Sequence, residues 1–255
     1  MRTGIISIVG AGPGDPELIT VKALRRIQNA DVILYDRLVN EELLGFARPE
    51  ALRIYCGKAP GRHSMPQEAT EHLMVEHAAM GKHVVRLKGG DPLVFGRGGE
   101  EALTAAAAGI PYEIIPGMTS AIGAAASAGI PLTHRGIAAS FAVVTGSRCR
   151  EHGAPVDWAA LARGVDTLVI YMGMANLGEI RAQLIQSGKS AATPVALIEN
   201  GTTALERTVT GTLGTIDKLA AVMKISNPAL IVIGEVVNVR EQLLGLQQTV
   251  RAQIG

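Results

Sequence analysis

The chain has only two cysteines in 255 residues, Cys56 and Cys149, far apart and in no metal-ligand spacing. That excludes a disulfide framework and fits a reduced compartment, so a cytoplasmic protein is expected. Its six histidines are scattered. His72 and His77 stand five apart, on different faces of any helix that carries them, so no metal site is expected. Net charge is close to nil: 24 Lys and Arg against 23 Asp and Glu leave +1. Such a chain is not a polycation for nucleic acid or a membrane surface, and any basic site must be local. No apolar run reaches the roughly 18 residues of a membrane span. Met1-Arg2-Thr3-Gly4 enters an apolar stretch directly, which predicts no secretory leader. No short repeat marks a solenoid.

What the chain does have is a 47% apolar composition, enough for a full core. Strand and helix patterns alternate throughout, which predicts an α/β fold. Strands are expected at 4–9, 32–35, 53–56, 83–87, 112–115, 140–145, 167–171, 194–198, 206–209 and 230–234. Between them lie helical patterns. Leu18, Val21, Leu24 and Ile27 recur at a helical interval. Ser64 and Pro66 open a helix that Gly81 closes; Gly109 and Gly188 close two more. The Gly- and Pro-containing stretch 129–136 separates two blocks of five strands. The expected domains are 1–130 and 137–245, with a linker at 131–136.

Three apolar runs end in sharp bends: Gly10-Ala11-Gly12-Pro13-Gly14-Asp15-Pro16, Lys88-Gly89-Gly90-Asp91-Pro92 and Pro116-Gly117-Met118-Thr119-Ser120. Open α/β sheets bind ligands at the carboxyl ends of parallel strands, so the three bends suggest one cleft. Gly10-x-Gly12 invites a dinucleotide reading, but that fingerprint needs a third small residue where Asp15 stands. A carboxylate at the helix mouth would repel a pyrophosphate, and Pro13 removes an N–H donor. The loop reads either as a site for a ligand without phosphate there, or as a tight turn with a capping aspartate. No Gly-Lys-Ser/Thr follows to make a phosphate loop.

Together these stretches resemble the tetrapyrrole methylases. The resemblance rests on Val9 to Thr20, Tyr35-Asp36-Arg37-Leu38-Val39, Val85 to Pro92, Phe95-Gly96-Arg97-Gly98-Gly99-Glu100-Glu101 and Pro116 to Ser120. Thr133-His134-Arg135-Gly136, Tyr171-Met172-Gly173 and Glu199-Asn200-Gly201-Thr202 extend it over nearly the whole chain. It implies the class III methyltransferase fold, two α/β domains with the active site in the cleft between them, and a homodimer. It implies S-adenosyl-L-methionine as methyl donor, S-adenosyl-L-homocysteine as product and no metal. The implied acceptor is uroporphyrinogen III, methylated at C2 and C7 to precorrin-2, which feeds siroheme, cobalamin or heme d1. The extra oxidase and chelatase domain of siroheme-synthase fusions is not expected.

By the same resemblance Pro13, Gly89, Gly90, Asp91, Val94, Thr119, Ser120, Met172 and Gly201 line the donor site. Backbone groups of Gly89 and Gly90 can meet the methionine end, Asp91 the ribose hydroxyls, and the start of a helix at 121–128 a carboxylate. Met172 can pack on adenine or simply fill a strand end. An eight-carboxylate acceptor calls for Arg97 and Arg135, with Arg37, Arg62 and Arg148 as further candidates. Asp36 is implied as proton acceptor and Lys58 as donor; Glu100 is a second carboxylate that could take the proton. Asp36 could instead cap the helix at 41–46, and Lys58 could be a loop charge. Rivals on the same fold are later precorrin methylases, diphthine synthase and a ribosomal RNA ribose methyltransferase. Outside it stand a dehydrogenase and a non-catalytic tetrapyrrole binder.

Overall fold

The computed structural model describes residues 3–57, 65–147 and 156–254. The chain forms two compact units that meet in sequence at Thr119 and Ser120. The stretch expected as a linker, 131–136, therefore lies within the second unit, where Ile130 and Ala138 pack with Ala121 and Ala124.

In the first unit five strands, β1 (Ile5–Gly10), β2 (Val32–Tyr35), β3 (Leu52–Tyr55), β4 (His83–Lys88) and β5 (Tyr112–Ile115), form a wholly parallel sheet in the order β3-β2-β4-β1-β5. Side chains alternate across the pleat, so β1, β2, β4 and β5 each feed two cores, while the edge strand β3 contributes Ile54 to one. On one face Val9, Ile33, Val85, Leu87 and Ile115 pack with Ala23 and Ile27 of α1 (Val21–Asn29). On the other, Ile6, Ile8, Val32, Leu34 and Val84 meet Met74 and Ala78 of α2 (Gln67–Ala79) and Ala102 and Ala105 of α3 (Gly98–Ala107). Burial on both faces is why β1 and β2 read as continuous apolar runs. Of the expected stripe on α1, Ile27 is buried and Leu24 partly so, with Ala23 joining them. Val21 is exposed, Leu18 sits in a preceding 3-10 turn, and Thr20 caps the helix by accepting the Ala23 N–H at 3.2 Å.

The second unit holds β6 (Phe141–Thr145), β7 (Thr167–Tyr171), β8 (Pro194–Glu199), β9 (Arg207–Thr212) and β10 (Ala229–Ile233), in the order β6-β7-β10-β8-β9. Only β6 and β7 are parallel; β10 runs against both its neighbours and β9 against β8. One face packs on α4 (Ser120–Ser127) and the start of α8 (Val236–Ile254). The other packs on α5 (Trp158–Gly164), α6 (Leu177–Gln186) and α7 (Ile216–Val222).

At the amino-terminal end of the first sheet a polar group is buried. Ser7 Oγ, fully buried, donates to Glu113 Oε1 at 2.9 Å and lies 2.9 Å from His83 Nε2. Arg26 and Lys22 of α1 close on the same carboxylate. Serine, histidine and carboxylate meet here, but at the end of the sheet away from the three bends, and the carboxylate is saturated by cations.

Candidate active site

The three glycine bends follow β4, β1 and β5, which are neighbours in the sheet. They interlock through bare main chain. Gly12 and Gly90 exchange both backbone hydrogen bonds, at 3.2 and 2.7 Å, and the Ala11 N–H donates to Lys88 O at 2.7 Å. A Cβ on Gly10 would lie 2.5 Å from Gly117 N and 2.7 Å from Gly90 O. Glycine is needed there for close approach of three chains. Gly89 is pressed from a fourth side, its missing Cβ only 2.7 Å from Leu38 Cβ in the loop after β2. Gly90 differs: it has φ +69°, and a Cβ would meet nothing nearer than Thr119 Cα at 4.0 Å. Its surface is an open main-chain cradle of the kind a small polar ligand can enter.

Asp91 ties this cradle together. One oxygen accepts the Leu93 N–H at 2.8 Å and the other the Gly117 N–H at 3.1 Å, so the loops after β4 and β5 share one carboxylate. Each oxygen keeps a further lone pair for a hydroxyl. In the first loop Asp15 accepts the Glu17 N–H at 2.8 Å and caps a 3-10 turn at Pro16–Leu18. The capping role is thus real, beside a half-buried Pro13. Asn40 Nδ2 anchors this loop by donating to Gly14 O at 2.9 Å.

Asp36 follows β2. Its Oδ1 accepts the Leu38 N–H at 3.0 Å, while Asn40, not Asp36, caps the 3-10 segment Glu41–Phe46. Its other oxygen lies 3.6 Å from Arg86 Nη2. Arg86 and Lys88 are buried beside Glu101, which is completely enclosed. Glu101 Oε1 accepts from Arg86 Nε at 3.0 Å, Lys88 Nζ at 2.8 Å and Gln67 Nε2 at 3.2 Å. Burial, and then Arg86 beside it, push the Lys88 ammonium below its usual range. Our reading of the sequence passed over this cluster. The signal was present: charges at alternate positions 86 and 88 of an otherwise apolar strand share one face.

Arg97 stands in the left-handed region, φ +58°, at the N-cap of α3. The flanking glycines are there for tightness rather than freedom, since a Cβ on Gly96 or Gly98 would lie 2.6 Å from Pro92 O. Arg97 pairs with Glu100 at 2.6 Å, both half-exposed. That pairing holds the Glu100 carboxyl below its usual range, which makes it a weaker base. Val94 and its neighbours Leu93 and Phe95 are exposed apolar side chains on the same loop. Arg37 is exposed. Lys58, Arg62, Arg148 and Ser64 lie outside the described residues.

Four predicted residues among those described belong to the second unit. Ser120 opens α4, but the Ala121 N–H is already taken by Tyr171 Oη at 2.6 Å, so that donor is spent within the protein. Met172 has φ +53° and is 49% exposed, which rules out its filling a strand-end core. Gly201 lies against α4: a Cβ there would collide with the Ala124 side chain and sit 3.2 Å from its Cα. Arg135 is exposed in a turn closed by paired backbone bonds between His134 and Ala138, both 2.9 Å. Among the described residues no three His, Cys, Asp or Glu side chains are grouped to hold a metal, and no helix is long and apolar enough to cross a membrane.

The comparisons with known proteins agree on one family. Residues 6–217 match the tetrapyrrole (corrin/porphyrin) methylases. The chain is 57% identical over 235 residues to a uroporphyrinogen-III C-methyltransferase of Priestia megaterium, covering 92% of this chain and 99% of the relative. It is 52% identical over 250 residues to one of Bacillus subtilis strain 168, covering 98% and 97%. A crystal structure of uroporphyrin-III C-methyltransferase from Thermus thermophilus, complexed with S-adenyl homocysteine, superimposes with a TM-score of 0.79 at 42% identity, covering 92% of this chain and 94% of that one.

Proposed function

From the premise that the chain belongs to the tetrapyrrole (corrin/porphyrin) methylases, we propose that it is a C-methyltransferase that moves methyl groups from S-adenosyl-L-methionine to uroporphyrinogen III. The observation that carries this reading is near-full-length identity above half to relatives bearing that activity. The product is precorrin-2, formed by methylation at C2 and then C7, on the route to siroheme and cobalamin. The protein works as a homodimer in the cytoplasm.

The residues present suit a sulfonium nucleoside. Bare main chain at Gly90, an anchored carboxylate at Asp91 and the absence of a phosphate fingerprint all fit a donor that carries hydroxyls and an amino acid end but no phosphate. Pro13, Gly89, Gly90, Asp91, Val94 and Thr119 of the first unit, and Ser120, Met172 and Gly201 of the second, would hold it. When bound, the donor supplies an already activated methyl group, so no metal is required of the protein. Most of the protein's work is therefore alignment. Arg97 and Arg135 grip acceptor carboxylates, for which a guanidinium fork is suited. Arg97 is too weak an acid to trade protons at neutral pH and serves as an anchor. Asp36 accepts the proton that the macrocycle must lose after each methylation, the methylated ring carbon itself carrying no hydrogen, and Lys58 serves as the proton donor of the pair. Glu100, committed to Arg97, is the poorer base.

The test is anaerobic incubation of the purified protein with uroporphyrinogen III and S-adenosyl-L-methionine, following the product spectrum and S-adenosyl-L-homocysteine. Two equivalents of homocysteine product per macrocycle are expected. No donor consumption would overturn the reading.

A further inference from the structure

The buried cations under the glycine cradle do not balance among themselves. Arg86 and Lys88 share a single carboxylate, Glu101, and are almost wholly shielded from water. Two enclosed cations against one anion leave an excess positive charge, which is costly in a low-dielectric interior. Asp36 is the carboxylate that faces the excess, 3.6 Å from Arg86 Nη2 and itself partly open to solvent.

Among the described residues every edge of the Arg86 guanidinium is engaged. Its Nε is fixed by Glu101 Oε1 at 3.0 Å, and its Nη1 donates to Leu87 O at 3.0 Å and Leu34 O at 3.4 Å. The remaining edge of the planar fork points to Asp36. Leu34 lies two residues before Asp36 on β2, and Leu87 is next to Arg86 on β4. One guanidinium thus bonds the main chain of two neighbouring strands and stands in ion-pair range of one carboxylate. From the other side the Leu38 N–H holds Asp36 Oδ1. An arginine can reach all of these at once; a lysine, with a point charge and no fork, cannot.

We infer that Arg86 is a positioning residue for Asp36, with Glu101 as the buried anchor that fixes Arg86. The inference rests on the reading of Asp36 as proton acceptor. Arg86 is almost wholly shielded from the surface, so its part is to set the direction of the more open Asp36 carboxylate. Lys88 completes the anchor, holding the same Glu101 oxygen.

The experiment compares Arg86→Lys, Asp36→Asn and the double variant in the methylation assay, with S-adenosyl-L-homocysteine binding by calorimetry and circular dichroism as a check on folding. Misplacing one reacting group by about an ångström costs on the order of a hundredfold, so Arg86→Lys should lower kcat between tenfold and a hundredfold. Donor-product affinity and the acceptor KM should stay within about twofold, and the double variant should be no slower than Asp36→Asn alone, because residues acting through one another are not additive. Wild-type kcat in a folded Arg86→Lys, or losses that multiply in the double variant, would overturn the inference. Should Arg86→Lys fail to fold, Glu101→Gln keeps the shape and one acceptor oxygen, and the same non-additivity with Asp36→Asn is expected. A second readout needs no substrate: carbodiimide labelling of Asp36, followed by peptide mass, should speed up several-fold in Arg86→Lys or Glu101→Gln. If the wild type proved inactive on uroporphyrinogen III, the proposed function would fall, and labelling would still decide the Arg86–Asp36 link. Unchanged labelling would refute it.

Discussion

Replacing Gly10 by alanine tests whether the cradle is as crowded as its geometry implies. The added Cβ would sit 2.5 Å from Gly117 N, 2.6 Å from Gly117 Cα and 2.7 Å from Gly90 O, and all three are main-chain atoms that no rotamer change can clear. Ordinary contact lies near 3.5–4.0 Å, so the loops would have to part by about 1 Å. That movement breaks the paired Gly12–Gly90 bonds, worth about 1 kcal/mol each. Overpacking adds about 1–3 kcal/mol. The sum, roughly 3–5 kcal/mol, is a large share of a typical domain's stability. Gly99→Ala is the matched control: nothing lies within 4 Å of its Cβ, and in the first turn of α3 it should be neutral or stabilising by about 0.5 kcal/mol. Urea unfolding measures both, and calorimetry with S-adenosyl-L-homocysteine reports the cradle. Gly10→Ala within about 1 kcal/mol of wild type, with donor-product affinity intact, would refute the reasoning.

Three further outcomes are expected. Glu113, whose carboxyl is held down to about 2 chiefly by the Arg26 hydrogen bond with help from Lys22 and Ser7, stabilises the fold above its ordinary value of 4.5. That contribution, about 2 kcal/mol after allowance for partial exposure, is lost as pH falls from 4.5 toward 2. Glu113→Gln should therefore be destabilised at pH 7 and converge on the wild type in acid; a gap that persists at pH 2 would show another cause. Arg97→Ala should cost under about 1 kcal/mol of stability, because its pair with Glu100 is exposed. It should lower turnover on the order of a hundredfold with donor-product affinity unchanged; a collapse of that affinity would move Arg97 to the donor's side. Tyr171→Phe strips the Ala121 N–H of its acceptor and should lower the urea midpoint by the equivalent of about 1–2 kcal/mol, and an unchanged midpoint would mean another group takes that donor.

The sequence carried all ten strands: the inner ones are apolar runs buried on both faces, and the edge strands β3 and β9 show as β-branched or aromatic stretches although they are only partly buried. It did not carry strand direction in the second unit. β8, β9 and β10 are antiparallel to their partners, yet they look like the parallel strands of the first unit, since helices cover both faces in each case. The division between units was misplaced for a related reason. Stretch 129–136 has the composition of a linker, but α4 before it is an alanine-rich helix whose small side chains pack on β7, β8 and β10. At the site, glycines and Asp91 were legible as loops. What they do to one another was not: Asp91 clamping Gly117, or Tyr171 capping α4, joins residues 26 and 50 apart in the chain. The Arg86–Lys88–Glu101 cluster was within reach from alternation along β4.

The cradle draws its three bends from strands at Ile5–Gly10, His83–Lys88 and Tyr112–Ile115, side by side in the sheet yet far apart along the polypeptide. No shorter stretch of chain contains it. A ribosome must release the first unit almost whole before the three bends can interlock, since β5 is the last strand of that sheet to emerge and Gly117, which follows it, is one of the interlocking parts. Closure of the cradle is thus a late event of maturation, and a fragment ending before β5 would keep four of the five strands and the Gly12–Gly90 pairing but lose the Gly117 bend.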